Sequence, residues 1–241
     1  MNTAAVLGPG AVGGTLAVRL ANAGVQVICV AHPEAAGLIA LAGLVVESPE
    51  GTLTARVEVV EQLAKPVDLL LVTVKAPALD DAVARVDPSA VEYGVVVPLL
   101  NGLEHMDVLK ARFDGRVAAG TISHFQAYRA GRVQIIEATP APVVTIASES
   151  LSGAEVERAA DLIRRARIDV RVGQSEKRVL WHKLARIAPL VPRGGTIGLL
   201  GLAYKPASHV VEAAQGVALA ETCVARGLRV VAITTTSATS S

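Results

Sequence analysis

Residues 4–14 read Ala4-Ala5-Val6-Leu7-Gly8-Pro9-Gly10-Ala11-Val12-Gly13-Gly14, a short apolar run followed by G-x-G-x-x-G. The run predicts a buried strand. Leu16, Val18, Leu20 and Ala21 predict a helix that Gly24 ends before a second strand, Val25–Val30. A strand, a glycine turn and a helix in that order form a dinucleotide phosphate-binding turn. Gly8 suits the tight turn, Gly10 lets the backbone approach a pyrophosphate, and Gly13 lets the helix pack against the strand. Pro9, Ala11 and Val12 complete the loop, whose N–H groups and helix start favour an anion. The plainer alternative is a glycine turn in an α/β protein without a ligand.

Working outward, strand-like and helix-like runs alternate to about residue 115. The strands are Ala4–Leu7, Val25–Val30, Leu44–Glu47 with Thr52–Val57, Val67–Val74 and Gly94–Leu100, and Ser48-Pro49-Glu50-Gly51 makes a hairpin turn. Such alternation predicts an α/β fold with a Rossmann-type parallel sheet covered on both faces. Beyond Val117–Ile122, the short strands His124–Tyr128, Arg132–Glu137 and Val143–Ala147 predict an antiparallel extension. Ser152-Gly153-Ala154-Glu155 is a capping box opening a helix over Gly153–Arg167. Asp169–Val172 follows as a strand, and a second helix starts after Ser175, bent or ended by Pro189 and Pro192. The expected organisation is a dinucleotide-binding domain over 1–174 and a helix over 175–192. A C-terminal βαβ unit over 193–233 and a disordered Ser/Thr-rich tail over 234–241 complete it. In the βαβ unit, Thr196–Leu200, the helix Val210–Arg226 and Arg229–Ile233 follow the linker Arg193-Gly194-Gly195.

Composition narrows the function. The 241 residues carry a formal charge of +1 and few aromatic side chains, so nothing predicts binding to nucleic acid or an acidic membrane. Cys29 and Cys223 sit in apolar runs and read as buried thiols rather than a disulfide or metal framework. With no signal-like N-terminus and no apolar run of membrane length, the expectation is a soluble cytoplasmic protein.

The tip of the second strand selects between nicotinamide cofactors. Acidic residues there hold the adenosine ribose hydroxyls of NAD, and basic ones accommodate the 2′-phosphate of NADP. Here it reads Val30-Ala31-His32, with Glu34 two residues further on. The reading is NADP, with His32 beside the 2′-phosphate; a plain exposed loop histidine is the alternative.

These segments together resemble the ketopantoate reductase (2-dehydropantoate 2-reductase) family over roughly residues 1–192. The resemblance is carried by Ala5–Gly14, Leu71-Val72-Thr73-Val74-Lys75-Ala76, Leu100-Asn101-Gly102-Leu103, Gly120 through His124 with Gly131-Arg132-Val133, and Trp181-His182-Lys183-Leu184. It implies hydride transfer from NADPH to a small 2-keto acid in pantothenate biosynthesis. Lys75 and Asn101 would line the nicotinamide and substrate side of the cleft, and Lys183 would be the catalytic lysine holding the ketone oxygen. A cation there stabilises the developing alkoxide. Spacing speaks independently for Lys183: Leu180, Leu184 and Ile187 fall at i, i+4 and i+7, placing Lys183 on the apolar face of its helix. It either snorkels to an edge or points into a cleft. On spacing alone, Asn101 is equally a turn residue and Lys75 a surface charge.

The chain departs from the family at Ile187 and Val191, where the family has asparagines, and after Pro192, where its helical substrate domain would follow. A site built for hydrogen bonds loses heavily when partners vanish. Instead, Thr196–Pro206 with Val210-Val211-Glu212 resembles the opening of the C-terminal domain of UDP-glucose and related nucleotide-sugar dehydrogenases. That makes Lys205 a nucleotide-contact candidate, although a loop lysine is the plainer reading. Glu212 and Glu221 read as exposed helix glutamates. Two readings stay open: an NADPH-dependent reductase, with a homodimer one way to complete its half-site, or a cofactor-binding protein without catalysis. A nucleotide-sugar dehydrogenase is the least favoured.

Overall fold

β1, Thr3–Leu7, is buried at all five positions and lies at the centre of a parallel sheet. The structure, a computed structural model, describes residues 2–139, 142–187, 196–200, 223–225 and 229–233. The chain falls into two compact units, Met1–Ala185 and Arg186–Ser241.

In the first unit β1 leads through the glycine turn into α1 (Ala11–Asn22), β2 (Gln26–Val30) and α2 (Pro33–Ala42). The hairpin β3 (Leu44–Ser48) and β4 (Gly51–Ala55) follows, then β5 (Glu58–Val60) and β6 (Leu69–Val72). Next come α3 (Leu79–Val83), β7 (Val95–Pro98) and α4 (His105–Arg112). β8 (Ala119–Ser123), β9 (Ala127–Arg129), β10 (Gln134–Glu137) and β11 (Val143–Ala147) are short. α5 (Gly153–Arg164), β12 (Asp169–Val172) and α6 (Glu176–Ile187) close the unit. Beyond Arg186 and Ile187 at the end of α6, the second unit is described only at β13 (Thr196–Leu200), β14 (Arg229–Ile233) and the helical residues 223–225; β13 and β14 pair in parallel.

The main sheet has the order β5-β2-β1-β6-β7, all parallel. The chain crosses from one half to the other between β1 and β6. That is the switch point where open α/β sheets bind ligands, beyond the carboxyl ends of the strands. Continuous apolar strands such as Leu69–Val72, buried at every residue, are what two covered faces require. One core lies under α1 and α5, the other under α3 and α4 with Leu180 of α6.

Several boundaries differ from the sequence reading for local reasons. The strand read over Val67–Val74 is Leu69–Val72, which frees Thr73 and Lys75 for the loop above the sheet. The strand read over Thr52–Val57 is β4, Gly51–Ala55, and beyond it β5, Glu58–Val60, a strand not read in the sequence, joins β2 in the main sheet. His124 has φ +53, left-handed backbone that an extended chain does not use, so β9 starts at Ala127. Arg167, at φ +57, lies past the end of α5. The sheet extension is mixed. β10 pairs antiparallel with β9 but parallel with β3, and β11 pairs antiparallel with β8 but parallel with β12. The capping box is present: the Ser152 side chain accepts from the Glu155 N–H, and the Glu155 carboxylate from the Ser152 N–H. Cys29 is buried, which pushes its thiol up to about 12.

Candidate functional site at the carboxyl edge of the sheet

The glycine turn is built by backbone bonds. Gly8, at φ +84, donates its N–H to Val30 O at 3.0 Å, and Gly10 N–H donates to Gly8 O at 2.7 Å. The Thr73 hydroxyl, just past β6, lies 2.8 Å from Gly8 O and 3.1 Å from Leu7 O and pins the turn from the neighbouring strand. A Cβ at Gly13 would sit 2.2 Å from Thr73 Oγ1 and 2.6 Å from Gly8 O. At Gly10 it would meet only Gly8 O, at 3.9 Å, so this side of the turn is open. α1 starts here with no side-chain cap and no acidic residue in its first turn. Unshielded N–H groups beside open space are what a pyrophosphate requires, so the residues present fit a dinucleotide.

His32 caps the end of β2 as the N-cap residue of α2 and is exposed. Arg85 Nη2, from the loop after α3, donates to His32 Nδ1 at 2.8 Å, while Arg85 Nε is buried without a partner. Glu34, the nearest carboxylate in sequence, pairs with Arg132 at 2.9 Å. The sequence reading put His32 at this strand tip; Arg85, which the structure places against it, sits 53 residues away with no local signal.

Lys75 follows β6 and Asn101 follows β7, both exposed. Asn101 precedes Gly102, at φ +95, in a turn before α4. The sheet continues past β7 through a parallel bridge, Val96 to Val117, so β8 runs in the same direction. Ile122 therefore lies beyond the level of Pro98, on the carboxyl side. Its carbonyl accepts a 2.9 Å hydrogen bond from Lys183 Nζ. Lys183 is half-buried on α6, and burial holds its ammonium below the ordinary lysine value. The turn after β1 and the Lys183 head after β8 are three strand steps apart, roughly 14 Å. A ligand touching both must be extended.

His105, the first residue of α4, was not singled out in the sequence. It is 4% exposed, and its Nε2 has no hydrogen-bond partner. Burial first, and the Lys183 charge second, push its imidazole down to about 4, so it is neutral at pH 7. Ile187 is the last residue of α6. Val191, the linker Arg193–Gly195, Lys205, Glu212, Glu221, most of the helix read over Val210–Arg226 and the tail lie outside the described residues. No helix among the described residues is long and apolar enough to cross a membrane.

Strand order and glycine turn define a Rossmann-type α/β domain with its candidate site at the switch point. Residues 4–148 match the family model of the ketopantoate reductase PanE/ApbA, and the chain belongs to that family. It is 40% identical over 123 residues to the 2-dehydropantoate 2-reductase of Caulobacter vibrioides, a match covering 49% of this chain and 39% of that one. The 2-dehydropantoate 2-reductase of Geobacter metallireducens GS-15 has a similar fold, with TM-score 0.67 and 23% identity over 76% of this chain and 62% of that one. So does a D-mandelate dehydrogenase solved with NADH and anilino(oxo)acetate, with TM-score 0.65 and 20% identity over 75% and 60%. The chain thus spans less than two thirds of the length of these relatives.

Proposed function

We propose that the protein is an NADP(H)-dependent oxidoreductase that reduces a small 2-keto acid, as a 2-dehydropantoate 2-reductase does. The observation carrying this reading is the half-buried Lys183 ammonium, fixed by the Ile122 carbonyl at the same edge of the sheet as the open glycine turn. A bound dinucleotide supplies the hydride. As the carbonyl carbon receives it, the carbonyl electron pair moves to oxygen, and Lys183 stabilises that charge and holds the proton the alcohol needs. Gly8, Pro9, Gly10, Ala11, Val12 and Gly13 would cradle the phosphates, and Lys75 and Asn101 would orient nicotinamide and substrate. Two features favour NADP: the tip of β2 has no carboxylate, and Arg85 stands against His32 there. We assign the protein to the cytoplasm. A second copy, in a homodimer, would restore the missing half-site. The C-terminal βαβ unit, with Lys205 as a nucleotide contact, belongs to this proposal only as an appendage.

Calorimetric titration with NADPH and NADH, followed by an absorbance assay with 2-dehydropantoate, tests the reading. We expect NADPH to bind more tightly and to be oxidised. Lys183→Ala should lower kcat by about 100-fold or more while NADPH still binds, the size of loss seen on removing one donor to a developing oxyanion. Unchanged turnover in that variant overturns the role of Lys183. Binding without turnover of any keto acid leaves a cofactor-binding module, the reading that Ile187 and Val191 favour.

A further inference from the structure

His105 of α4 lies close enough to Lys183 of α6 for the lysine charge to act on its imidazole. Lys110, in the last turn of α4, donates to Glu176, the first residue of α6, at 2.5 Å. Five residues back along α4 is His105, and seven forward along α6 is Lys183, rises of about 7.5 and 10.5 Å. Met106, Leu109 and Leu180 share the core between the helices. His105 is 4% exposed and its Nε2 is enclosed without a partner. Buried polar atoms seldom stay unpaired.

Lys183 has three N–H donors, and the Ile122 carbonyl takes one. No ion pair among the described residues includes it. The other charged or titratable groups on the two helices and the turn before α4 are Glu104, Asp107, Lys110, Arg112, Glu176, Lys177, Arg178, His182 and Arg186, and Glu176 is taken by Lys110.

We propose that His105 is a positioning residue for Lys183: its ring proton sits on Nδ1, and its Nε2 accepts a second hydrogen bond from the ammonium as the Lys183 side chain moves about its Ile122 anchor, with or without a ligand. Two neutral acceptors, Ile122 O and His105 Nε2, then aim the cation without cancelling its charge. A carboxylate in the same place would neutralise the field a developing alkoxide needs. A protonated imidazole would repel the ammonium, and His105 stays neutral because it titrates at about 4. The effect on turnover rests on the reductase reading; the effect on Lys183 itself does not.

The test is the pH dependence of Lys183 acetylation by acetic anhydride in the full chain, read by peptide mass spectrometry, in the parent, His105→Leu and His105→Gln. Losing an acceptor for the charged form should lower the Lys183 midpoint by about one pH unit in His105→Leu, making acetylation roughly tenfold faster below the midpoint. His105→Gln, which keeps an acceptor, should return it toward the parent. In the keto acid assay, kcat should fall about tenfold in His105→Leu with NADPH affinity unchanged, and His105→Gln should recover most of it. A parental midpoint in His105→Leu, or failure of His105→Gln to restore it, overturns the proposal. If His105→Leu does not fold, His105→Met fills the same space without a strong acceptor and takes its place. A parent that binds NADPH but reduces no ketone ends the reductase reading, while the acetylation midpoints still decide His105.

Discussion

Arg85 reaches His32 from a loop 53 residues further along the chain, and in the proposed NADP complex its guanidinium would meet the 2′-phosphate. A hydrogen bond to a charged group contributes about 1.5–3 kcal/mol, so Arg85→Gln should weaken NADPH binding roughly tenfold to a hundredfold. NADH has nothing for Arg85 to hold, and its affinity should be unchanged in the same calorimetric titration. Equal losses for both cofactors would show that Arg85 only supports the fold. His32 was legible in the sequence because it directly follows an apolar strand. Arg85 and His105 were not, because each reaches the candidate site by tertiary packing, and neither spacing nor periodicity records which loop a crossover brings to a strand tip. Lys183 was legible for the opposite reason: a charge on the apolar stripe of a helix breaks a local pattern.

At the scale of elements, the glycine turn separates fold from ligand. A Cβ at Gly13 would press on Thr73 Oγ1 and the Gly8 carbonyl, so Gly13→Ala should destabilise the protein by about 1–3 kcal/mol. Gly10 has negative φ and open space, so Gly10→Ala should cost under about 1 kcal/mol yet weaken dinucleotide binding. Urea melts beside cofactor titrations check the pair, and the opposite ranking in stability would refute this account. Strands with strong local patterns, such as Val143–Ala147 and Asp169–Val172, were read with the observed bounds. Pairing was harder. Alternation marks an extended segment but not its neighbour, so the parallel pairing of β10 with β3 and the separate identity of β5 were invisible.

For the first unit as a whole, one buried ion pair ties α1 to the sheet extension. Arg19 of α1 meets Glu137 of β10 through Nε and Nη2, at 2.7 to 3.2 Å, with side chains 7% and 0% exposed. Glu137→Ala leaves a buried guanidinium uncompensated and should cost about 3–5 kcal/mol in urea denaturation. The double variant Arg19→Met/Glu137→Leu should recover most of that, since well-packed apolar replacements of buried pairs are often neutral. If it does not, Arg19 and Glu137 contribute through other contacts than each other. The same pair also sets an order of events during synthesis. The two residues are 118 positions apart. At a ribosomal pace of 5–20 residues per second, Arg19 emerges roughly 6–24 s before its counter-charge exists. Until then α1 cannot settle fully against the sheet without stranding a cation, so the glycine turn at its head is finished only when the nascent chain has passed β10.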